Sequence, residues 1–345
     1  MPNGCPVVAP SYECEGSERA ETGWPRARTW PQISKELSIL ITVDAYCHVG
    51  DCCIYDASVS DQEIVAALNA NRLSAAIVQP FPGAPNPAEV HDRIASLGSR
   101  YPGRIFGIAS VTPHIDRDRY HREIERCVRE LGFVGVALNT FGHVVNPNGR
   151  DAKTVFEVAR ELSVPVVVET GWGAPFGLPS AILPRAREYS DVKIVLAHAG
   201  AGLYTVEAYV VAREAANVYL ETSWCRGEDI KWLVSELGGS RILLGSDRAF
   251  NQEAELAKYR SLGLYQFQQY QVLGQNAIDV FCLKGVSEFV DPASVQIAEV
   301  ATADFAETPG IEASTEVSSA EANEEATDSE TVSEPVGEPV SSEAP

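Results

Sequence analysis

The stretch L-S-V-P-V-V-V-E-T-G, residues 162–171, is a short apolar run that ends in a carboxylate. Residues 193–200, K-I-V-L-A-H-A-G, repeat this pattern with a histidine at the end, and two further apolar runs also end in ionisable residues. Burying such a side chain costs free energy unless it finds a partner, so grouped together these residues would form a metal or acid/base site. The four residues are His48, Glu169, His198 and Asp247.

The apolar runs alternate with amphipathic helical patterns, and short, continuously apolar strands are typical of a parallel sheet covered on both faces. The predicted strands are 37–45, 74–79, 104–110, 133–139, 164–169, 192–197, 218–222 and 241–245. The predicted helices include 61–71, 87–100, 117–131, 151–162, 203–215, 227–237 and 265–281. Eight strand–helix units in about 250 residues predict an α/β fold, a (β/α)8 TIM barrel, with active-site residues at the carboxyl ends of the strands. The competing arrangement is an open doubly wound sheet, but no Gly-rich phosphate motif follows any strand.

The formal charge of −21 is concentrated at the C-terminal end of the chain. Residues 286–345 contain 15 acidic residues and no Lys or Arg, whereas the remainder contains 27 basic and 33 acidic residues. A segment with so few large apolar residues cannot repay its ordering entropy. We therefore predict an irregular N-terminal arm (1–37), a barrel (38–285) and a disordered acidic tail (286–345), and the acidity argues against nucleic-acid binding.

Other compositional features exclude further classes of protein. No apolar run approaches the about 18 residues of a membrane span, and we expect no signal peptide. The eight cysteines are scattered in a chain too large to need disulfides, which favours reduced thiols and a cytoplasmic location. The group Cys47, Cys52 and Cys53 lacks the C-x2-C spacing of zinc motifs.

Several motifs spread over residues 39–283 resemble those of the amidohydrolase-related TIM-barrel family, which contains metal-dependent hydrolases and aromatic-acid decarboxylases. Besides the two stretches quoted above, they are D-A-Y-C-H-V-G (44–50), V-Y-L-E-T-S (218–223), R-I-L-L-G-S-D (241–247) and G-Q-N-A-I-D-V-F-C-L (274–283). In that family, strand one ends in H-x-H and strand five carries a His, and these imidazoles bind a divalent metal. A His on strand six binds or polarises the substrate, and an Asp on strand eight binds metal and moves a proton.

The resemblance implies one divalent metal, with zinc expected first and manganese or iron as alternatives. It makes His48, Glu169, His198 and Asp247 the metal ligands, with Asp247 and His198 also catalytic. Tyr46 and Glu169 depart from the family pattern, because both stand where the family has His, and Ala137 stands where relatives often have Lys. Zinc accepts a carboxylate as readily as an imidazole, whereas a phenol with a pKa of about 10 must first lose its proton. The alternative is a barrel that has lost its metal.

Residues just past the strand ends are candidates for substrate contact. Trp172 and Trp224 follow strands five and seven, where a tryptophan lines the barrel mouth or packs its rim. Arg248 can bind a substrate carboxylate or neutralise the local acids. Tyr46 is included because its side chain is expected to point to the barrel mouth. His143 is a further loop candidate, and the three histidines assigned to the surface are His91, His114 and His121.

Two functions of different class are compatible with these residues. The first is a metal-dependent enzyme that hydrolyses or decarboxylates a small carbonyl or carboxylate substrate, with Asp247 as base and His198 stabilising an oxyanion. The second is a catalytically degenerate barrel that serves in binding or assembly. We expect a small-molecule partner and neither nucleic acid nor membrane; homo-oligomer formation and a partner for the acidic tail stay open.

Overall fold

The structure, a computed structural model, describes residues 40–114 and 116–290. The predicted N-terminal arm lies outside the described residues, as does the predicted acidic tail beyond residue 290. Within the described part, no helix has the length and apolar character needed to cross a membrane.

One sheet contains all nine strands of the described residues. They are β1 (Val43–Cys52), β2 (Ala57–Val59), β3 (Ala75–Pro80), β4 (Ile105–Ala109), β5 (Gly135–Leu138), β6 (Val166–Glu169), β7 (Ile194–Ala197), β8 (Val218–Glu221) and β9 (Ile242–Leu243). The short β2 pairs antiparallel with β1, and every other pairing is parallel, in chain order from β1 through β3 to β9. The eight parallel strands correspond to the eight predicted ones.

Backbone hydrogen bonds close this sheet on itself. The Ala45 N–H donates to the Leu244 carbonyl (2.9 Å), the His48 N–H to the Asp247 carbonyl (3.0 Å), and the Asp247 N–H to the Tyr46 carbonyl (2.8 Å). Strand β1 therefore pairs with the segment that follows β9, which confirms the predicted (β/α)8 barrel and excludes the open sheet.

Helices cover the outside of the barrel. They are α1 (Asp61–Ala70), α2 (Pro87–Arg100), α3 (Arg117–Arg129), α4 (Arg150–Leu162), α5 (Leu183–Glu188), α6 (Thr205–Glu214), α7 (Gly227–Leu237), α8 (Gln252–Ser261), α9 (Gln266–Tyr270) and α10 (Asn276–Phe281). The bounds of α2 and α7 agree with the prediction, whereas α5 and α8 were not predicted. The single helix predicted over 265–281 is interrupted by a π-helical turn, Gln271–Gln275. Within that turn Gly274 packs on the Ile41 carbonyl, where a Cβ would lie 2.2 Å from the oxygen.

A bulge in β1 alters the predicted orientation of its polar side chains. The register against β3 shifts between Asp44 and Cys47, so Ala45 and Tyr46 both face the barrel interior. Asp44 consequently points outward, where it accepts hydrogen bonds from Ser246 and from Gln252 at the start of α8. The predicted bounds of strand one, 37–45, were wrong, because β1 runs from Val43 to Cys52, and strict two-residue alternation of its side chains fails at the bulge.

The hydrophobic core has two layers. A small inner cluster fills the barrel, with Val43, Ile77, Ile108, Val167 and Leu243 among its members, and Phe281 of α10 packs against it. A larger cluster lies between the sheet and the helices. Since the interior is packed with side chains, the barrel is a core rather than a channel, and an active site is expected at the carboxyl ends of the strands.

Asp44 offers a test of barrel closure through the pH dependence of stability. Burial raises its pKa from 3.8 to about 6, although four hydrogen bonds oppose the shift. Because the folded pKa lies above the unfolded one, the contribution of Asp44 is greatest below about pH 4 and is lost as pH rises through about 6. The unfolding free energy of the wild type minus that of Asp44→Asn should therefore fall by up to about 3 kcal/mol between about pH 4 and 7 in chemical denaturation. Asp56→Asn, in the exposed turn after β1, serves as the surface control; a flat difference for Asp44→Asn would contradict the assignment.

Candidate active site

A cavity of about 490 Å³ opens at the carboxyl ends of the strands. This volume suits a small ligand. The lining residues are His48, Tyr55, Phe81, Pro82, Phe141, Glu169, Trp172, His198, Trp224, Asp247, Arg248 and Phe250. Seven of the eight predicted site residues are among them, and the eighth, Tyr46, lies in the layer beneath.

His48 and Asp247 form a buried pair that links the two ends of the barrel sheet. His48 Nδ1 lies 2.9 Å from Asp247 Oδ1, and the indole Nε1–H of Trp224 donates to Asp247 Oδ2 over 3.0 Å. Burial alone would raise the pKa of Asp247, but the hydrogen bond and charge of His48, with help from Trp224, hold it below its usual range. Asp247 is therefore ionised at neutral pH.

Glu169, at the end of β6, is the second carboxylate in the cavity and behaves oppositely. Burial raises its pKa to about 7, and the nearby charge of Asp247 adds to the shift, while His48 opposes it. Its Oε2 atom is buried and has no hydrogen-bond partner among the described residues, and the same holds for His48 Nε2. These two atoms are free to bind a cation.

The predicted four-ligand metal cluster differs from what the structure shows. No three of His48, Glu169, His198 and Asp247 bring donor atoms within 4.8 Å of one another in the described chain. Both Asp247 oxygens accept hydrogen bonds from His48 and Trp224, and His198 Nδ1 lies 2.7 Å from the Ser223 hydroxyl. His48 Nε2 and Glu169 Oε2 fit a metal, with Asp247 holding the histidine from behind, as is common for metal-binding imidazoles.

His198 is buried, with 1% of the residue exposed. Its backbone N–H donates to Glu221 Oε2 over 2.9 Å, and burial lowers the pKa of its ring to about 4. The ring is therefore neutral at physiological pH. Glu221 is itself completely buried at the end of β8.

Tyr46 packs edge-on against both imidazoles, with ring centroids 5.0 Å from His48 and 5.2 Å from His198. Only 1% of the residue is exposed, and it is not among the cavity-lining residues. Burial, followed by the charges of Glu169 and Asp247, raises its pKa well above 10. The phenol therefore stays neutral and packs beneath the two histidines. From this position Tyr46 does not reach the cavity, so the structure gives no support for direct contact between Tyr46 and a substrate.

Half of the residues that line the cavity are phenylalanine, tyrosine or tryptophan. This aromatic wall consists of Tyr55, Phe81, Phe141, Trp172, Trp224 and Phe250. The Arg248 guanidinium lies within the cavity, 5.2 Å from the Phe81 ring centroid and 5.5 Å from that of Tyr55. An anionic, planar ligand matches this combination of surfaces.

Backbone strain accumulates at the same strand ends. His198 and Trp224 have φ of 65° and Asp247 has φ of 64°. Left-handed conformations are rare for such residues and cluster at functional sites, where the surrounding structure holds them. Three strained residues around one cavity are consistent with a functional site.

Some cavity residues were missed at the sequence level. Tyr55, Phe81, Phe141 and Phe250 belong to the aromatic wall, and the rule that selected the two tryptophans, an aromatic residue shortly after a strand end, would have selected Phe81 and Phe141. Tyr55 lies in the turn between β1 and β2, and Phe250 follows the turn at Asp247. Neither turn is evident from periodicity.

His91 was assigned to the surface, and this was wrong. It is completely buried, with Nδ1 2.8 Å from Glu123 Oε1 and Nε2 accepting the Ser110 N–H. Among the described residues, His91, Glu123 and Cys127 do bring donor atoms within 4.8 Å of one another. Both ring nitrogens are already bonded and Arg126 pairs with Glu123, so this cluster is a satisfied hydrogen-bond network.

Comparison with known proteins places this geometry in a family. A family model described as amidohydrolase matches residues 63–283. A curated gamma-resorcylate decarboxylase from Polaromonas sp. is 26% identical over 215 residues, covering 46% of this chain and 64% of the relative. The match thus spans less than two thirds of that relative's length.

Solved structures show the same fold. A dihydroxybenzoic acid decarboxylase from Polaromonas sp. JS666, with bound manganese and the inhibitor 2-nitroresorcinol, superposes with a TM-score of 0.57 at 18% identity, over 71% of this chain and 98% of that chain. A manganese-bound 5-carboxyvanillate decarboxylase from Novosphingobium aromaticivorans gives 0.56 at 17% identity, again over 71% and 98%. At these identities the likeness concerns the fold.

The family model covers well over half of the sequence, and it spans the strands that carry Glu169, His198 and Asp247. This chain belongs to the amidohydrolase family.

Proposed function

We propose that this chain is a divalent-metal-dependent enzyme that decarboxylates a small aromatic carboxylate. The observation that carries the proposal is the composition of the cavity, in which an aromatic wall surrounds one guanidinium, a buried His48–Asp247 pair and a second carboxylate. The decarboxylases among its relatives, one of which binds 2-nitroresorcinol, add support.

The aromatic wall and Arg248 would bind the substrate. Trp172 and Trp224, with ring centroids 6.0 Å apart, and Phe81 present surfaces on which a planar ring can pack. Arg248 has 23% of its side chain exposed and its Nε atom 3.7 Å from Asp247 Oδ2, so its guanidinium can bind the substrate carboxylate beside the acid/base pair.

An apolar wall also favours loss of the carboxylate. Removal of CO2 disperses the negative charge, so a site that strips water from the ionised group lowers the barrier. The C–C bond breaks, CO2 leaves, and the electron pair remains on the ring carbon, which then takes a proton. Asp247 carries that proton from solvent to the ring carbon, and His48 Nδ1, 2.9 Å from Asp247 Oδ1, holds the carboxyl group in place.

A divalent cation would be held by His48 Nε2 and Glu169 Oε2, the buried donor atoms that lack partners. Such a cation polarises a substrate oxygen and offsets the charge of the carboxylates. An imidazole with a carboxylate suits manganese as well as zinc. We propose manganese first, because the solved relatives contain it.

Hydrolysis is a second candidate reaction, because an ionised Asp247 can take a proton from an attacking water as well as deliver one. A third candidate is a barrel that binds aromatic carboxylates without turning them over. It is favoured by Tyr46, whose neutral phenol occupies a ligand position of the family pattern.

Metal binding should depend on the ionisation of Glu169. Because burial raises its pKa to about 7 and a metal ligand must be deprotonated, Mn2+ affinity should fall by up to about tenfold for each pH unit below 7 and level off above it. Isothermal titration calorimetry between about pH 5.5 and 8.5 measures this. Glu169→Gln should weaken Mn2+ binding at least about tenfold, whereas Glu157→Gln on the exposed face of α4 should bind as the wild type does. Equal affinity of wild type and Glu169→Gln would contradict the role of Glu169.

Catalysis should depend on Asp247 and substrate affinity on Arg248. With Mn2+ present, CO2 release from a panel of hydroxylated benzoates should drop by about 100-fold or more in kcat for Asp247→Asn, the usual loss for an acid/base group. Arg248→Ala should mainly raise KM, by about tenfold or more, through loss of a charge-assisted hydrogen bond. Arg260→Ala, on the exposed face of α8, serves as the control. Binding of these acids without any CO2 release would favour the non-catalytic alternative.

A further inference from the structure

We infer that Glu221 and Ser223 are positioning residues that fix His198 as the tautomer protonated on Nδ1, so that Nε2 meets the cavity as a hydrogen-bond acceptor. The inference about the tautomer stands on hydrogen-bond geometry, and only its catalytic consequence rests on the proposed function.

A chain of short hydrogen bonds leads from the carboxylate to the ring. Glu221 Oε2 lies 2.9 Å from the Ser223 hydroxyl, and Ser223 Oγ lies 2.7 Å from His198 Nδ1. Burial raises the pKa of Glu221 to about 8, so the direction of the chain is fixed above that pH, where Glu221 is a carboxylate that can only accept and the hydroxyl donates its one hydrogen to it. The Ser223 oxygen must then accept from His198 Nδ1–H, and in a neutral imidazole Nε2 is left with the lone pair.

Further hydrogen bonds hold the Glu221 carboxylate in this position. Its Oε1 accepts the Ser223 N–H over 2.6 Å, and its Oε2 accepts the His198 N–H over 2.9 Å. The space for the Glu221 carboxylate depends on Gly245, in the segment that follows β9. A Cβ at that position would lie 2.5 Å from Glu221 Oε1. These three donors oppose the rise of the Glu221 pKa, but burial is the larger effect and the pKa is about 8.

Hydrogen bonds also hold the backbone of His198. The His198 carbonyl accepts from the Cys225 thiol over 3.1 Å and from the Ala201 N–H over 2.6 Å. With N–H, carbonyl and Nδ1 all engaged, and with the backbone held at φ of 65°, Nε2 is the one polar atom of His198 left for the cavity that the residue lines.

This tautomer changes the expected role of His198. Stabilising an oxyanion requires a hydrogen on Nε2, which the chain from Glu221 does not provide. An Nε2 lone pair instead recognises a substrate group that donates a hydrogen bond, such as a hydroxyl or an amine beside the carboxylate. His198 is therefore a specificity residue, and Glu221 and Ser223 act through it.

The test is the tautomeric state of His198, read from long-range 1H–15N correlation spectra of the full chain labelled with 15N-histidine. The six histidines are distinguished by comparison with His198→Gln. Burial raises the pKa of Glu221 to about 8, so the spectra are recorded at about pH 9, where Glu221 is a carboxylate. The inference predicts a protonated Nδ1 and an unprotonated Nε2 for His198 in the wild-type protein.

Ser223→Ala removes the acceptor for Nδ1–H and should let the two tautomers mix, so that the 15N shifts of the two ring nitrogens move toward each other. The matched control is Thr222→Val, which removes the neighbouring buried hydroxyl, bonded to Tyr259 and not to His198; its His198 signals should stay as in the wild type. A His198 ring protonated on Nε2 in the wild-type protein would overturn the inference. An unchanged His198 spectrum in a folded Ser223→Ala protein would overturn it as well. Neither measurement needs metal or substrate, so a failure of the proposed decarboxylation leaves the result intact.

Discussion

Closure of the parallel barrel is the constraint on which the site depends. The strand that begins the barrel must pair with the segment that follows its last strand, and those hydrogen bonds join His48 and Tyr46 to Asp247. The same residues carry the side-chain pair of the cavity. Structural closure and acid/base chemistry therefore use one set of residues, and the bulge in β1 reconciles them by sending Asp44 outward and Tyr46 and His48 inward.

The two carboxylates of the cavity, Asp247 and Glu169, have pKa values shifted in opposite directions. Hydrogen bonds and the charge of His48 keep Asp247 ionised, whereas burial and the charge of Asp247 raise the pKa of Glu169 to about 7. Such divergence is typical of catalytic pairs, in which environment assigns different roles to chemically similar groups. A cation bound between His48 and Glu169 would compensate the cost of ionising Glu169. The departures from the family pattern are Tyr46 and Glu169, while the hydrogen bond between His48 Nδ1 and Asp247 is present.

The barrel, its parallel order and the position of the cavity were predictable from the sequence, because short apolar strands at regular intervals have few other solutions. His48, Glu169, His198 and Asp247 were identified from their place at strand ends, and the structure brings all four to the cavity. What periodicity could not predict was local geometry. The bulge at Ala45–Tyr46, the burial of His91 and the use of both Asp247 oxygens each depend on contacts between residues far apart in the chain. The same limit concealed Glu221, which reads as an ordinary strand residue until Ser223 and His198 are seen beside it.

The central claim is that His48 and Glu169 hold a divalent cation at the mouth of this barrel. The most direct measurement is anomalous diffraction at the manganese edge from crystals soaked in Mn2+. We predict one strong peak within about 2.5 Å of His48 Nε2 and a Glu169 carboxylate oxygen, with Asp247 still bonded to His48 Nδ1. A peak at His91, Glu123 and Cys127 instead, or no peak in the cavity at saturating Mn2+, would contradict the account.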